Sequence, residues 1–168
     1  ASPAADTIPA LMANHAICVI QGPEGTRHVP VEDFVTGVGK NCLEKGELLA
    51  ALTLPRPSPR TSDAYLRFIP RTEMDIAVAG AAVSLTLDGD GVCQRARVAI
   101  GAVAPTAILV SQAEEILVGQ PLSEDVLARV ARAASDAASP ITDRRGTVEF
   151  RRHVVGVLTK RAALIAAE

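Results

Sequence analysis

The sequence has no tryptophan, one tyrosine and three phenylalanines in 168 residues. Aromatic side chains are 2% of the chain, which leaves almost no platform for stacking bases. Positive charge is not in excess either: 17 basic and 19 acidic side chains give a formal net charge of −2. The two shortages together exclude a nucleic-acid surface of the basic, aromatic kind. Uninterrupted apolar runs of the ~18 residues that a membrane-spanning helix needs are absent. Residues 1–20 carry an acid at Asp6 and no basic stretch, so no signal peptide is expected in them.

Metal chemistry is poorly provided for. Cys18, Cys42 and Cys93 are far apart and form no C-x-x-C pair, so neither a zinc nor an iron–sulfur site is encoded. They are expected to be buried thiols in a reducing cytosol, which places the protein in the cytoplasm. His15, His28 and His153 show no metal-ligand spacing. Gly37-Val38-Gly39-Lys40-Asn41 has the look of a phosphate loop, but Phe34 occupies the first glycine position and Asn41 replaces the hydroxyl. Asp88-Gly89-Asp90-Gly91 has the look of a calcium loop, but Ala99 stands where its bidentate Glu belongs. A hairpin turn is the better reading.

What the chain does have is a core. Its 48% hydrophobic content suits one domain, or one small domain plus part of another. Thr7 to Asn14 reads as a short helix, His15 to Gln21 and Thr26 to Val31 as paired strands, and Phe34 to Glu47 as glycine-punctuated loop. Leu48 to Leu54 is an apolar run expected to be a buried strand. Three prolines in Pro55-Arg56-Pro57-Ser58-Pro59 form neither helix nor central strand, and the domain border is placed there.

Beyond that border, Ala64 to Ile69 is a candidate strand. Val83, Leu85 and Leu87 alternate with polar residues, as do Ala96, Val98 and Ile100, on either side of the Asp88–Gly91 turn. Three helices follow. Ser111 to Glu114 fits a capping box and Gly119 a stop; Ser123 caps a second helix; the third runs from about Thr147 to Ala167. In the third, Val154, Val155, Leu158, Ala162 and Ile165 form the expected buried stripe, with Arg151, Arg152, Lys160 and Arg161 solvated. Strands first and helices last predict an α+β module, with helices on one side of an antiparallel sheet.

The opening Ser2-Pro3-Ala4-Ala5-Asp6-Thr7-Ile8-Pro9 reads as a tight turn running into a helix, with Asp6 as N-cap and Pro9 in the first turn. So ordered a start predicts further polypeptide upstream. The stretch also resembles the Ser-Pro-x-x-Asp-x-x-Pro segment of the flavoprotein (medium) subunits of the xanthine dehydrogenase and carbon monoxide dehydrogenase family. Tyr65-Leu66-Arg67-Phe68-Ile69-Pro70-Arg71 with Asp75-Ile76-Ala77 is similar to that family's Lys-Phe-x-x-Arg…Asp-Ile-Ala signature. Ile100 to Thr106 is similar to its Gly-x-Val-Ala-x-x-Pro stretch, and Asp143 to His153 to its Arg-Gly-x-x-Glu-Tyr-Arg-Arg close.

The resemblance implies residues 1–55 as the C-terminal part of a PCMH-type FAD-binding domain. It implies residues 60–168 as a CO dehydrogenase flavoprotein C-terminal domain, an antiparallel sheet plus a helical bundle. The cofactor implied is FAD, and the partners are a [2Fe–2S] subunit and a molybdopterin-binding large subunit. Electrons would pass from the clusters through FAD to an acceptor. The matching carboxylate, Asp6, would meet the ribityl hydroxyls; as a residue type it is equally a plain helix cap. Ser2 and Thr7 are further hydroxyl candidates or turn residues. Leu49 would approach the flavin ring or be a core strand residue. Arg67 stands where the family has Lys near the ring, or is a plain sheet-surface arginine; near the ring, its planar fork would change the tuning or access of the flavin. Asp75 reads as a structural carboxylate. The family's Gly-Gly-Asn turn would precede Ala1, so this chain alone is expected to hold FAD weakly or not at all. The alternative is a non-catalytic module docking partner subunits through its sheet, Arg95, Arg97 and the basic side of the third helix.

Overall fold

The structure, a computed structural model, describes residues 1–71 and 75–168. Helix α1 (Thr7–Ala13) leads into β1 (Ile17–Gly22) and β2 (Gly25–Pro30), an antiparallel hairpin with Ile17 opposite Pro30 and Gly22 opposite Gly25. One turn of helix, α2 (Val31–Phe34), is followed by a small ribbon of β3 (Val35–Gly37) and β4 (Lys40–Asn41). Strand β5 (Leu48–Thr53) then returns to pair with β1, giving the order β2-β1-β5.

The second sheet is antiparallel, in the order β6-β7-β8-β9: β6 (Thr61–Phe68), β7 (Ala79–Leu87), β8 (Cys93–Gly101) and β9 (Ile108–Leu109). The alternation in β7 and β8 works as expected. Val83 and Leu85 of β7, with Val98 and Ile100 of β8, turn toward a core shared with α3 (Ser111–Leu117), α4 (Glu124–Ala137) and α5 (Val148–Ile165). Leu117, Leu127, Val130 and Val155 complete it, all essentially inaccessible. Burying each such side chain contributes about 1.5–3 kcal/mol. The turn between β7 and β8 is closed by Asp88, whose Oδ1 accepts from the amides of Asp90 and Val92 at 2.9 Å. The expected α+β class is thus the observed one.

Helix α1 covers the opposite face of this sheet. Gly80 pairs with Gly101 there and Ala82 with Ala99, a smooth floor on which a helix can lie close. A Cβ on Gly101 would stand 2.6 Å from Pro9 Cγ. Met12 and Ala99 share a second, smaller core with Ala16, Cys18, Ile20 and Val31. Arg97 pins the seam, donating through Nε to the Met12 carbonyl at 2.6 Å and through Nη2 to Glu32.

Several expectations are corrected. The 34–47 stretch is not all loop, because Gly39, at φ +69°, turns β3 back onto β4. Strand β5 forms but is exposed along its whole length rather than buried; it is an edge strand of a three-stranded sheet. Ser111 does not cap α3; Val110 occupies the cap position and no side chain bonds there. Ser123 does cap α4, accepting from the Val126 amide. On α5, Ile165 is exposed whereas Arg151 is buried, since Arg151 lies one turn before Val155 on the inward stripe.

Candidate functional site

Asp6, Tyr65 and Arg67 meet where α1 begins. Tyr65 and Arg67 are two positions apart on β6, so both project from the same face of the sheet, the face that α1 covers. The start of α1 brings Asp6 above them. Its Oδ1 accepts from the Tyr65 hydroxyl at 3.0 Å and its Oδ2 from Arg67 Nη1. Asp6 holds the N-cap position yet bonds none of the helix amides with its side chain. The capping expectation is therefore right in place and wrong in bond, because the acceptors are already engaged across the seam.

Tyr65 is half-buried. Burial, then the Asp6 carboxylate beside it, push its phenol well above the usual tyrosine range. It reaches Asp6 because a neighbouring side chain is missing: a Cβ on Gly80 would stand 2.7 Å from the Tyr65 oxygen. Sequence reasoning gave Tyr65 no role. The available signal was its spacing of two from Arg67 on one strand.

None of the other candidates bonds to this cluster: Thr7 follows Asp6 directly and Ser2 begins the turn before it, whereas Leu49 lies in the other sheet. Ser2 closes a local turn, its Oγ accepting from the Ala4 amide at 3.3 Å, and it lines a mostly apolar hollow of about 330 Å³ with Ile76, Ala102, Ile141 and Arg151. Thr7 is exposed at the first position of α1. Leu49 is 39% exposed on β5, in the other sheet. A larger cleft of about 790 Å³ runs between the end of α1 and the 55–58 segment, lined by Asn14, His15, Arg56, Asp63, Arg95 and Arg97. It contains none of the predicted site residues. Asp75 is structural as expected. Its carboxyl is held below the usual range first by the Ile76 amide, and Arg71 and Arg145 pair with it at 3.3 and 3.5 Å. Among the described residues no group of three or more metal-ligating side chains converges, and no helix is long and apolar enough to cross a membrane.

Residues 64–166 match the CO dehydrogenase flavoprotein C-terminal domain, and residues 1–57 match the FAD binding domain in molybdopterin dehydrogenase. This chain belongs to the CO/xanthine dehydrogenase flavoprotein family. It is 36% identical over 156 residues to the carbon monoxide dehydrogenase medium chain of Afipia carboxidovorans, covering 92% of this chain and 54% of that one. It is 34% identical over 143 residues to the putative xanthine dehydrogenase FAD-binding subunit of Escherichia coli, covering 84% and 49%. The reconstituted CO dehydrogenase from Oligotropha carboxidovorans superposes with a TM-score of 0.93 at 32% identity, over 99% of this chain and 57% of that one. The chain thus spans about half the length of the curated relatives it matches. The family resemblance and FAD as the family's cofactor are borne out.

One ion pair fixes the approach to Leu49. Arg27 on β2 forks onto both carboxylate oxygens of Glu47 at 2.7 Å and also donates to the Cys42 carbonyl. Glu47 accepts the Glu44 amide as well, and these bonds, the Arg27 fork first, lower its pKa to about 2. A depressed carboxylate contributes stability that is complete above the unfolded value near 4.5 and lost as pH falls toward about 2. Glu47→Gln is therefore expected to sit below the parent at neutral pH and converge on it by about pH 2. Denaturant midpoints across that range check this; parallel curves would remove the ion pair as the cause.

Proposed function

We propose that this chain supplies the ribityl- and ring-facing part of the FAD site in an electron-transfer flavoprotein subunit of a molybdenum hydroxylase. Residues 1–55 would belong to the FAD-binding domain and 60–168 to the flavoprotein C-terminal domain. The partners are a [2Fe–2S] subunit and a molybdopterin-binding large subunit, in the cytoplasm. The observation that carries the reading is the Asp6–Tyr65–Arg67 cluster, which joins the two family-matched segments at one point.

The donor set fits. A carboxylate accepts from sugar hydroxyls, and a phenol and a guanidinium hold that carboxylate in place. The Asp6 and Arg67 side chains are 35% and 39% exposed, so both remain reachable. When bound, FAD supplies the redox chemistry that no side chain here provides. Asp6 would orient the ribityl chain, and Arg67 would place a fixed positive charge beside the ring. Its planar fork, tied to Asp6, cannot migrate as a lysine ammonium can. Ser2, Thr7 and Leu49 remain proposed contacts. The pyrophosphate asks for clustered backbone amides, and the relatives that this chain matches are about twice its length. The match of residues 1–57 to an FAD-binding family favours this reading over a pure docking module.

Titrating FAD into the 168-residue chain and into the longer flavoprotein containing it tests the proposal. Flavin is expected to bind stoichiometrically to the longer protein and weakly to the 168 residues alone. Tight binding to the short chain would place the phosphate site within these residues, and no binding to either would end the FAD reading.

A further inference from the structure

Arg151 is the one charged residue among the described residues that is buried as a whole, at 4% exposure. From the first turn of α5 its Nη1 donates to the Val78 carbonyl at 2.8 Å and the Ala102 carbonyl at 3.4 Å, and its Nη2 to Asp143 Oδ1 at 2.6 Å. Its Nε is buried with no partner. A guanidinium with one N–H unpaired is a poor way to gain stability, since desolvation offsets much of what its ion pair contributes. It is a good way to fix carbonyls at the ends of two strands.

Those carbonyls lead to the site. Val78 immediately precedes β7, and its amide bonds the Phe68 carbonyl at the end of β6, next to Arg67. Ala102 immediately follows β8 and takes φ +63°, a left-handed conformation that a non-glycine residue adopts only when held. In that conformation its amide donates to the Pro3 carbonyl at 2.9 Å. Pro3 lies in the Ser2–Asp6 turn, closed by the Ala5 amide on the Ser2 carbonyl at 3.2 Å. A chain of bonds therefore runs from Arg151 through Ala102 to the turn that presents Asp6.

We propose that Arg151 is a positioning residue for the flavin site: by holding Ala102 in its left-handed conformation it sets the Ser2–Asp6 turn at the distance at which Asp6 meets the ribityl chain. This inference rests on the FAD reading above. Arg151 makes no contact with the cofactor itself; its effect passes through backbone.

The test uses the longer flavoprotein with its FAD. Arg151→Met should weaken FAD binding by about tenfold and change the visible circular dichroism of the bound flavin, which reports the chirality of its surroundings. Arg151→Lys, which keeps a buried cation and serves if the Met variant does not fold, should lie between the two. Leu158→Ala, in the helix-side core of α5 but outside the Arg151–Ala102 network, controls for instability: it should lower the melting temperature yet leave affinity and dichroism as in the parent. Affinity within about twofold of the parent in both Arg151 variants would overturn the proposal, as would an equal loss in Leu158→Ala. A parent that holds no FAD overturns the FAD reading and this inference together. A parent that holds FAD, beside Arg151 variants that also hold it unchanged, overturns this inference alone.

Discussion

Replacing Asp6 by alanine is expected to lower the affinity of the flavoprotein for FAD by about 10- to 100-fold while leaving the fold in place. The range follows from the worth of a charge-assisted hydrogen bond, about 1.5–3 kcal/mol, at 1.4 kcal/mol per tenfold. The fold survives because little of it hangs on this carboxylate. Its pair with Arg67 joins two side chains more than a third exposed, and such a pair contributes about 0–1 kcal/mol. Its bond from Tyr65 is worth about 1 kcal/mol more, and the half-buried phenol loses its acceptor. Asp6→Asn separates the roles. It keeps one oxygen that can accept from Tyr65 but removes the charge opposite Arg67, so it should recover most of the stability and only part of the affinity. Flavin fluorescence titration beside thermal unfolding reads both. Unchanged affinity in Asp6→Ala would leave Asp6 as a tether between α1 and β6.

The legible parts of the fold were those encoded in local repetition. The alternation in β7 and β8 around Asp88-Gly89-Asp90-Gly91 gives the hairpin, and Ser123 as a cap gives the start of α4. What was not legible was set at a distance. An apolar run at 48–53 looks the same at the centre of a sheet as at its edge, and only the strand order makes β5 an edge. Arg151 was misplaced by residue type alone: with Val155, Leu158 and Ala162 it keeps the helical period, and the carbonyls that welcome it come from the ends of other strands. Asp6 and Arg67 were found through the resemblance, whereas their bond is a product of α1 crossing β6, which no spacing reveals. Tyr65, two residues from Arg67, lies within reach of the strand period.

Gly156→Val is expected to destabilise the protein by about 3 kcal/mol and lower its melting temperature by about 10 °C. Gly156 lies where α5 crosses α4. A Cβ there would stand 2.9 Å from the Ala131 carbonyl oxygen and 2.5 Å from Ser135 Oγ. The serine could rotate away, but its hydroxyl sits between the carbonyls of Ala131 and Arg152, at 3.0 and 2.8 Å, and leaving them costs about 1 kcal/mol. The carbonyl cannot rotate, being part of the α4 backbone. The helices must therefore part, and overpacking of this kind costs about 1–3 kcal/mol. Gly156→Ala is the sharper comparison, because alanine gains about 1 kcal/mol of helix propensity over glycine. Were the crossing loose, alanine would stabilise the protein by that amount. A net loss in Gly156→Ala, with a larger one in Gly156→Val, places the limit in the contact between the helices.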